Sequence, residues 1–277
     1  MKANHLVAPI VKWAGGKRQL LPEICKHIPQ FSTYYEPFIG GGALLFKLQP
    51  KKAVINDFND SLMNVYKIIK THPEELIESL KHHNNTSEYY YEIRGIDRDH
   101  NQYNNFSDIE KASRLIYLNK TCYNGLFRVN RNGEFNSPFG YYKSPNIVNE
   151  ITIKAVSRYL NENDIVFKTG DFDDALKGIR KGAFVYFDPP YDPISLSSNF
   201  TGYTDTGFGR SEQERLKLTC DNLHKAGIKF LLSNSATNFI KELYKDYNIK
   251  TILAKRQISS NATTRGDIEE VLISNYD

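Results

Sequence analysis

The chain has 277 residues, 40% hydrophobic and 25% charged, with a net charge of +4. That is an ordinary globular composition, long enough for one large domain or two smaller ones. No apolar run is long enough to span a bilayer, and the three scattered cysteines exclude a zinc module or a disulfide-built scaffold.

The stretch MKANHLVAPIVKWAGGK lacks the apolar core and small-residue cleavage site of a signal peptide. A cytoplasmic protein with Cys25, Cys122 and Cys220 reduced is therefore expected. Charge is uneven: +4 over residues 1–30 and +5 over 111–145, leaving −5 on the remainder. Two basic regions on an otherwise acidic chain suggest a polyanionic partner.

KWAGGK (12–17) has some of a phosphate loop, but lacks the first glycine of G-x-x-x-x-G-K-[ST], and Arg18 follows the lysine. A nucleoside triphosphate site is not expected there. Trp13, the only tryptophan, sits among basic and glycine residues and suits a cofactor-pocket wall. TYYEPF (33–38) reads as a short strand, Gly40-Gly41-Gly42 as a turn, ALLFKL as a helix and KAVIND (52–57) as the next strand. This order opens a doubly wound α/β sheet. Glycines admit close approach of backbone to ligand, and Asp57, 17 residues after Gly40, suits a ribose hydroxyl pair. The spacing does not fit G-x-G-x-x-G, so an adenosine-bearing cofactor without a required pyrophosphate is preferred.

Residues 60–120 read as mainly helical: LMNVYKIIK is amphipathic, Pro73 suits a helix start and IEKASRLIYLNK (109–120) is amphipathic again. The next segment, TCYNGLFRVNRNGEFNSPFGYYKSPN (121–146), is rich in Asn, Gly and aromatics, and Asn132-Gly133 signals a tight hairpin. From about residue 149 the α/β rhythm returns with ITIKAVSRYL as a helix and DIVFKTG and FVYFDPPY as strands. SEQERLKLTCDNLHKAG comes next as a helix closed by Gly227, KFLLSNS as a strand and NFIKELYKDY as a helix. IKTILAKR and IEEVLISNY read as a final strand pair. The α/β domain (1–60 and 149–277) is thus interrupted by an insertion, 61–148.

FVYFDPPY (184–191) is an apolar strand running into Asp188, two prolines and Tyr191. Prolines end a ladder and stiffen the chain beyond it, which fixes Asp188 and Tyr191 at the carboxyl end of a strand, where open α/β sheets bind ligands. A carboxylate and the Pro189 carbonyl accepting both hydrogens of a nucleobase amino group would turn its lone pair toward an electrophilic methyl. Tyr191 would stack the base.

The order KWAGGK, EPFIGGGALLF, NDFN, YNGLFRVN…GEFNSPFG and DPPY, over nearly the whole chain and including the insertion, resembles the Dam family of α-group DNA adenine methyltransferases. The resemblance implies a Rossmann-like S-adenosylmethionine-dependent sheet, an inserted target-recognition domain at 61–148, and methylation of the adenine N6 amino group in double-stranded GATC. It also implies site residues. Trp13, Lys17, Phe38, Gly40, Gly42, Asp57, Asp171, Phe172 and Asp188 would bind S-adenosylmethionine. Asp188, Pro189 and Tyr191 would be catalytic. Tyr123 would wedge into the stack with Asn124 beside the gap, Leu126 and Pro138 would touch the thymine step, Arg128 the outer guanine and Lys12 the first guanine. Lys120, Arg131 and Lys143 are candidates for phosphate contacts. No metal is implied, and the family suggests a monomer. One departure stands out: where the family often has a basic residue after Pro-Phe-Gly, this chain has Tyr141. The segment 192–214, rich in Ser, Gly and Thr, reads as a lid. Similar motifs serve methyl transfer to RNA amino groups and to protein glutamine, and a catalytically inactive DNA-binding relative is the further alternative. Pairing with a restriction endonuclease and a stand-alone role are both open.

Overall fold

The computed structural model describes residues 3–13, 15, 17, 19–194, 207–255 and 267–277. In chain order these form α1 (Leu21–Ile24), β1 (Thr33–Glu36), α2 (Ala43–Leu48), β2 (Lys52–Asp57), α3 (Asp60–Thr71) and α4 (Pro73–Lys81). Next come α5 (Ser87–Gly95), α6 (His100–Asn104), α7 (Asp108–Thr121), α8 (Glu150–Glu162), β3 (Asp164–Thr169) and α9 (Phe172–Ala175). The chain continues with β4 (Ala183–Phe187), α10 (Arg210–Lys225), β5 (Lys229–Ser235), α11 (Asn238–Leu243), β6 (Asn248–Lys255) and β7 (Asp267–Ser274). The expected α/β class is what the chain adopts. The strands form one sheet in the order β3-β2-β1-β4-β5-β7-β6.

Beta1 pairs parallel with β2, Tyr34 opposite Ala53, and on its other side with β4, Tyr34 opposite Phe184. The chain thus winds outward in both directions from β1 and β4, so their carboxyl ends flank a topological switch point. Beta4, AFVYF, is buried along its whole length, as a continuous apolar run in a central parallel strand should be. Beta5 joins β4 in parallel, and β7 and β6 complete the sheet as the antiparallel pair expected from the last two apolar segments.

Two compact units emerge, one of Met1–Gly16, Ile39–Lys51 and Asn56–Asp171, the other of Lys17–Phe38, Lys52–Ile55 and Phe172–Asp277. In the second, Val185, Phe187, Phe230, Leu232, Val271 and Ile273 pack with Leu216, Cys220 and Leu223 of α10. In the first, the helices begin where capping chemistry places them. Asn59, Thr86 and Asn149 cap α3, α5 and α8, and Ser107 with Glu110 forms a reciprocal capping box on α7. Alpha7 packs against α3, α4 and α5, and it buries Tyr117 and Leu118 with Tyr90, Cys122, Phe135 and Phe139.

The segment after α7 differs from a regular hairpin. It is held by two isolated bridges, Cys122 to Phe139 and Val129 to Phe135. Its tip is a three-residue turn, closed by Asn130 N–H donating to the Glu134 carbonyl at 2.9 Å, with Gly133 at φ +79. Pro138, Gly140 and the left-handed Tyr141 interrupt what would otherwise be a ladder.

Candidate active site and recognition surface

In the first unit the glycine turn comes after β1 and closes on itself, Gly42 N–H donating to the Ile39 carbonyl at 2.8 Å. Gly40 and Gly42 lie at φ +48 and +71, where a side chain is strained. A Cβ on Gly42 would also stand 2.7 Å from the Tyr66 hydroxyl, and one on Gly40 3.1 Å from the Trp13 ring. Asp57, at the end of β2, accepts the Gly40 N–H at 2.9 Å through one oxygen and the Asn59 N–H at 3.0 Å through the other. Burial raises the pKa of the Asp57 carboxyl, against those backbone donors, which lower it. Tyr66 donates to the Gly40 carbonyl at 2.8 Å. Gly170 N–H donates to the Asp57 carbonyl at 3.1 Å, and Asn56 Nδ2 donates to the Gly170 carbonyl, which draws Asp171 to the end of β2. Trp13, Gly40, Gly42, Asp57 and Asp171 therefore lie near one another in the first unit.

In the second unit, β4 ends at Asp188, whose side chain is 19% exposed. Lys17 Nζ lies 2.9 Å from Asp188 Oδ1, and Ser233 Oγ donates to the same oxygen at 2.9 Å. The Tyr186 hydroxyl, 3.1 Å from Ser233 Oγ, completes the chain, since the serine proton is committed to Asp188. Oδ2 accepts no hydrogen bond from the described residues. Burial raises the pKa of Asp188, and the neighbouring Lys17 and Ser233 lower it. Lys17 Nζ also stands over the Tyr191 ring, 4.2 Å from its centre, and the Tyr191 hydroxyl donates to Glu270 Oε2 at 2.8 Å. The Pro190 carbonyl accepts from Gln213 Nε2 at 2.8 Å, Gln213 Oε1 accepts from Asn234 Nδ2, and Asn234 Oδ1 accepts the Asp192 N–H. The Pro189 carbonyl accepts nothing from the described residues. Phe172 is 3% exposed, enclosed by Phe38, Phe208 and the Arg215 guanidinium, so its ring belongs to the core. Phe38 is half-buried against it.

The expected recognition residues all lie in the first unit. Asn119, 1% exposed at the end of α7, accepts the Lys12 N–H at 2.8 Å and donates to the carbonyls of Lys12 at 2.7 Å and Gly125 at 3.1 Å. It thereby ties Lys12 to the turn Tyr123–Gly125, in which Asn124 is left-handed at φ +58. Trp13 stacks on Phe127, ring centres 4.6 Å apart. Tyr123 is 58% exposed, and its N–H donates to the carbonyl of exposed Pro138 at 2.8 Å. Leu126 is half-buried, its carbonyl accepting from Ser137. Arg128 is exposed, with Nε on Asn136 Oδ1 at 2.7 Å and Nη2 on the Asn136 carbonyl at 3.2 Å, which leaves the Nη1 end of the guanidinium outward. Tyr141 is 75% exposed, its ring edge-on to Phe139. Most of the 192–214 segment, residues 195–206, lies outside the described residues.

Sequence reasoning passed over Ser233, Glu270, Gln213, Asn234, Asn119 and Asn136. For Ser233 and Asn234 a signal existed: two polar residues inside the apolar strand KFLLSNS. Among the described residues no helix is long and apolar enough to cross a membrane.

The family model described as D12 class N6 adenine-specific DNA methyltransferase matches residues 13–258. The chain is 47% identical to the Type II methyltransferase M1.LlaDCHI of Lactococcus lactis, over 97% of this chain and 95% of that protein. It is 41% identical to the Type II methyltransferase M.MjaIII of Methanocaldococcus jannaschii, over 98% and 99%. It is 32% identical to the DNA adenine methylase of Escherichia coli K12, over 98% and 95%.

Proposed function

The chain belongs to the D12 class N6 adenine-specific DNA methyltransferases, and from that premise we propose that it methylates the adenine of double-stranded GATC with S-adenosylmethionine as donor. The observation that carries the chemical part is the division of labour on Asp188. Oδ1 is held by Lys17 and Ser233, and among the described residues nothing donates to Oδ2 or to the Pro189 carbonyl, two acceptors on adjacent residues. An adenine amino nitrogen is a poor nucleophile because its lone pair is conjugated into the ring. Two acceptors taking its two hydrogens favour a tetrahedral nitrogen and orient the lone pair. Tyr191 offers a ring on which an extrahelical adenine stacks.

The residues fit the donor. Asp57 braces the turn through Gly40 and keeps lone pairs for ribose hydroxyls, while Gly40 and Gly42 keep the turn clear of side chains. Trp13 walls that turn, Phe38 precedes it in the chain, Asp171 follows Gly170 at the end of β2, Lys17 and Phe172 complete the set, and S-adenosylmethionine when bound supplies an electrophilic sulfonium methyl.

Residues 61–148 serve as the recognition domain, 1–60 and 149–277 as the catalytic one. Tyr123 fills the space of the departed base with Asn124 beside it. Arg128 reads a guanine through its outward guanidinium end, Lys12 reads the other, and Leu126 and Pro138 meet the thymine methyl. The type II names of two relatives support a modification role beside a restriction endonuclease. The DNA adenine methylase name supports a stand-alone one. In either setting the enzyme acts as a cytoplasmic monomer.

The test is methyl transfer from labelled S-adenosylmethionine to duplexes containing GATC, each single-base change at the outer positions, and GATC methylated on both adenines. Transfer confined to unmodified GATC is expected. Transfer at other adenine sites overturns the roles of Lys12, Leu126, Arg128 and Pro138. No transfer to any duplex, with cofactor bound, moves the substrate to RNA or protein glutamine.

A further inference from the structure

Glu269 and Glu270 are neighbours on β7, and the pleat sends them to opposite faces of the sheet. Glu269 is exposed and lies 3.8 Å from Lys241 at the surface. Glu270 is turned the other way, half-buried, and accepts the Tyr191 hydroxyl at 2.8 Å. Burial raises its carboxyl pKa, and Lys17 and the Tyr191 bond lower it. A half-buried carboxylate directly before the buried run Val271, Leu272 and Ile273 is costly to desolvate, and core packing does not need one.

We infer that Glu270 is a positioning residue for the methyl-transfer reaction, acting through Tyr191. This rests on the reading of Tyr191 as the stacking ring. The ring is gripped at two points: the Lys17 ammonium sits on its face, and Glu270 holds its hydroxyl. The phenol stays protonated, because burial raises its pKa well above the ordinary value with Asp188 and Glu270 adding to the rise, so it remains a donor to Glu270. A phenol donating to a carboxylate makes a short, strong, directional bond. That bond fixes both the tilt and the rotation of the ring, where a cation over the face alone would let it swivel. The face away from Lys17 is then presented at a set angle to the adenine whose amino group Asp188 receives. Lys17 links the two roles, since it touches the acceptor carboxylate and the stacking ring together.

The test combines three variants in the full chain, Glu270→Ala, Glu270→Gln and Tyr191→Phe, with the double variant Glu270→Ala/Tyr191→Phe. Glu270→Ala lowers kcat by about tenfold to a hundredfold, the scale of a small misplacement in an oriented reaction, with KM for cofactor unchanged. Glu270→Gln, whose amide oxygen still accepts the phenol, restores most of the rate. Tyr191→Phe matches Glu270→Ala, and the double variant is no slower than either. Additive losses in the double variant, or a Glu270→Ala enzyme as fast as the parent, overturn the inference. A second readout needs no activity. In protein carrying 13C-labelled tyrosine, with the Tyr191 ring signal assigned from Tyr191→Phe, Glu270→Ala broadens or shifts that signal and Glu270→Gln preserves it. An unchanged ring signal in Glu270→Ala overturns the inference even where transfer is lost. A parent enzyme that transfers nothing to adenine duplexes overturns the assigned reaction instead, with the ring signal still deciding whether Glu270 anchors Tyr191.

Discussion

Lys17 Nζ and Asp188 Oδ1 lie 2.9 Å apart, and Ser233 donates to that same oxygen, while among the described residues nothing donates to its twin. Burial raises the pKa of Asp188, and the lysine opposes that rise. The ionised form is the one that accepts the amino hydrogens, so the rate falls as pH drops through the raised value. Lys17→Met removes the largest opposing influence, and the carboxyl titrates at higher pH still. The acid limb of the kcat/KM profile is expected to move upward in pH, with the loss growing toward low pH. A limb that stays in place removes Asp188 from its role.

Asn119 is expected to couple two parts of target recognition. Its amide bonds both main-chain groups of Lys12 and the carbonyl of Gly125. Asn119→Leu leaves those groups unpaired in a buried place, at about 1–3 kcal/mol. It should weaken discrimination at the first guanine and reduce extrusion of the target base together. The check is relative kcat/KM on outer-position variants, alongside fluorescence of 2-aminopurine at the target adenine. Loss of one without the other refutes the coupling.

Arg128 is held to Asn136 through Nε and Nη2. Arg128→Ala should cost about 1–3 kcal/mol of discrimination at the outer guanine. Asn136→Ala should give a smaller loss at the same position, because the guanidinium survives but is no longer aimed. Competition between GATC and substituted duplexes measures both. Discrimination unchanged in Arg128→Ala means another side chain reads that base.

The segment after α7 is anchored to the helices through Asp97, which pairs with Arg114 at 2.8 Å and accepts the Phe135 N–H at 2.8 Å. Both side chains of the ion pair are at most 10% exposed. Arg114→Ala removes one of two guanidinium partners of Asp97, Arg98 being the other, together with the Arg114 bonds to the Ile93 and Arg94 carbonyls, and the expected loss of stability is about 1–3 kcal/mol. Urea unfolding checks it, and a change under about 1 kcal/mol, the range of a surface ion pair, shows that the pair is solvated.

Gly42→Ala tests the turn. The backbone is left-handed there, at about 1–2 kcal/mol for a side chain, and the new methyl meets Tyr66 and the Phe46 ring within 3 Å. Stability and cofactor affinity should fall together in denaturant and equilibrium-binding measurements. Lost stability with full affinity separates the turn from the cofactor.

The sequence by itself determined the α/β elements and singled out the candidate reacting groups. An apolar run ending in Asp188 and two prolines, a glycine turn with Asp57 placed 17 residues later, and an aromatic, basic insertion are local patterns whose physics acts within a few residues. They placed β4, the glycine turn and the aromatic segment after α7 on the chain. The tertiary structure decided what those groups touch. Lys17 meets Asp188 across 171 positions, Tyr191 meets Glu270 across 79, and Asn119 meets Lys12 across 107. Periodicity and spacing carry no trace of such pairings, because they arise only when distant segments of the chain are packed together. Phe172 has its ring against Phe38, Phe208 and Arg215, contacts that local sequence pattern does not announce. Whether a hairpin signal yields a ladder or two bridges likewise depends on the neighbouring prolines and on the buried aromatics that hold the segment to α7.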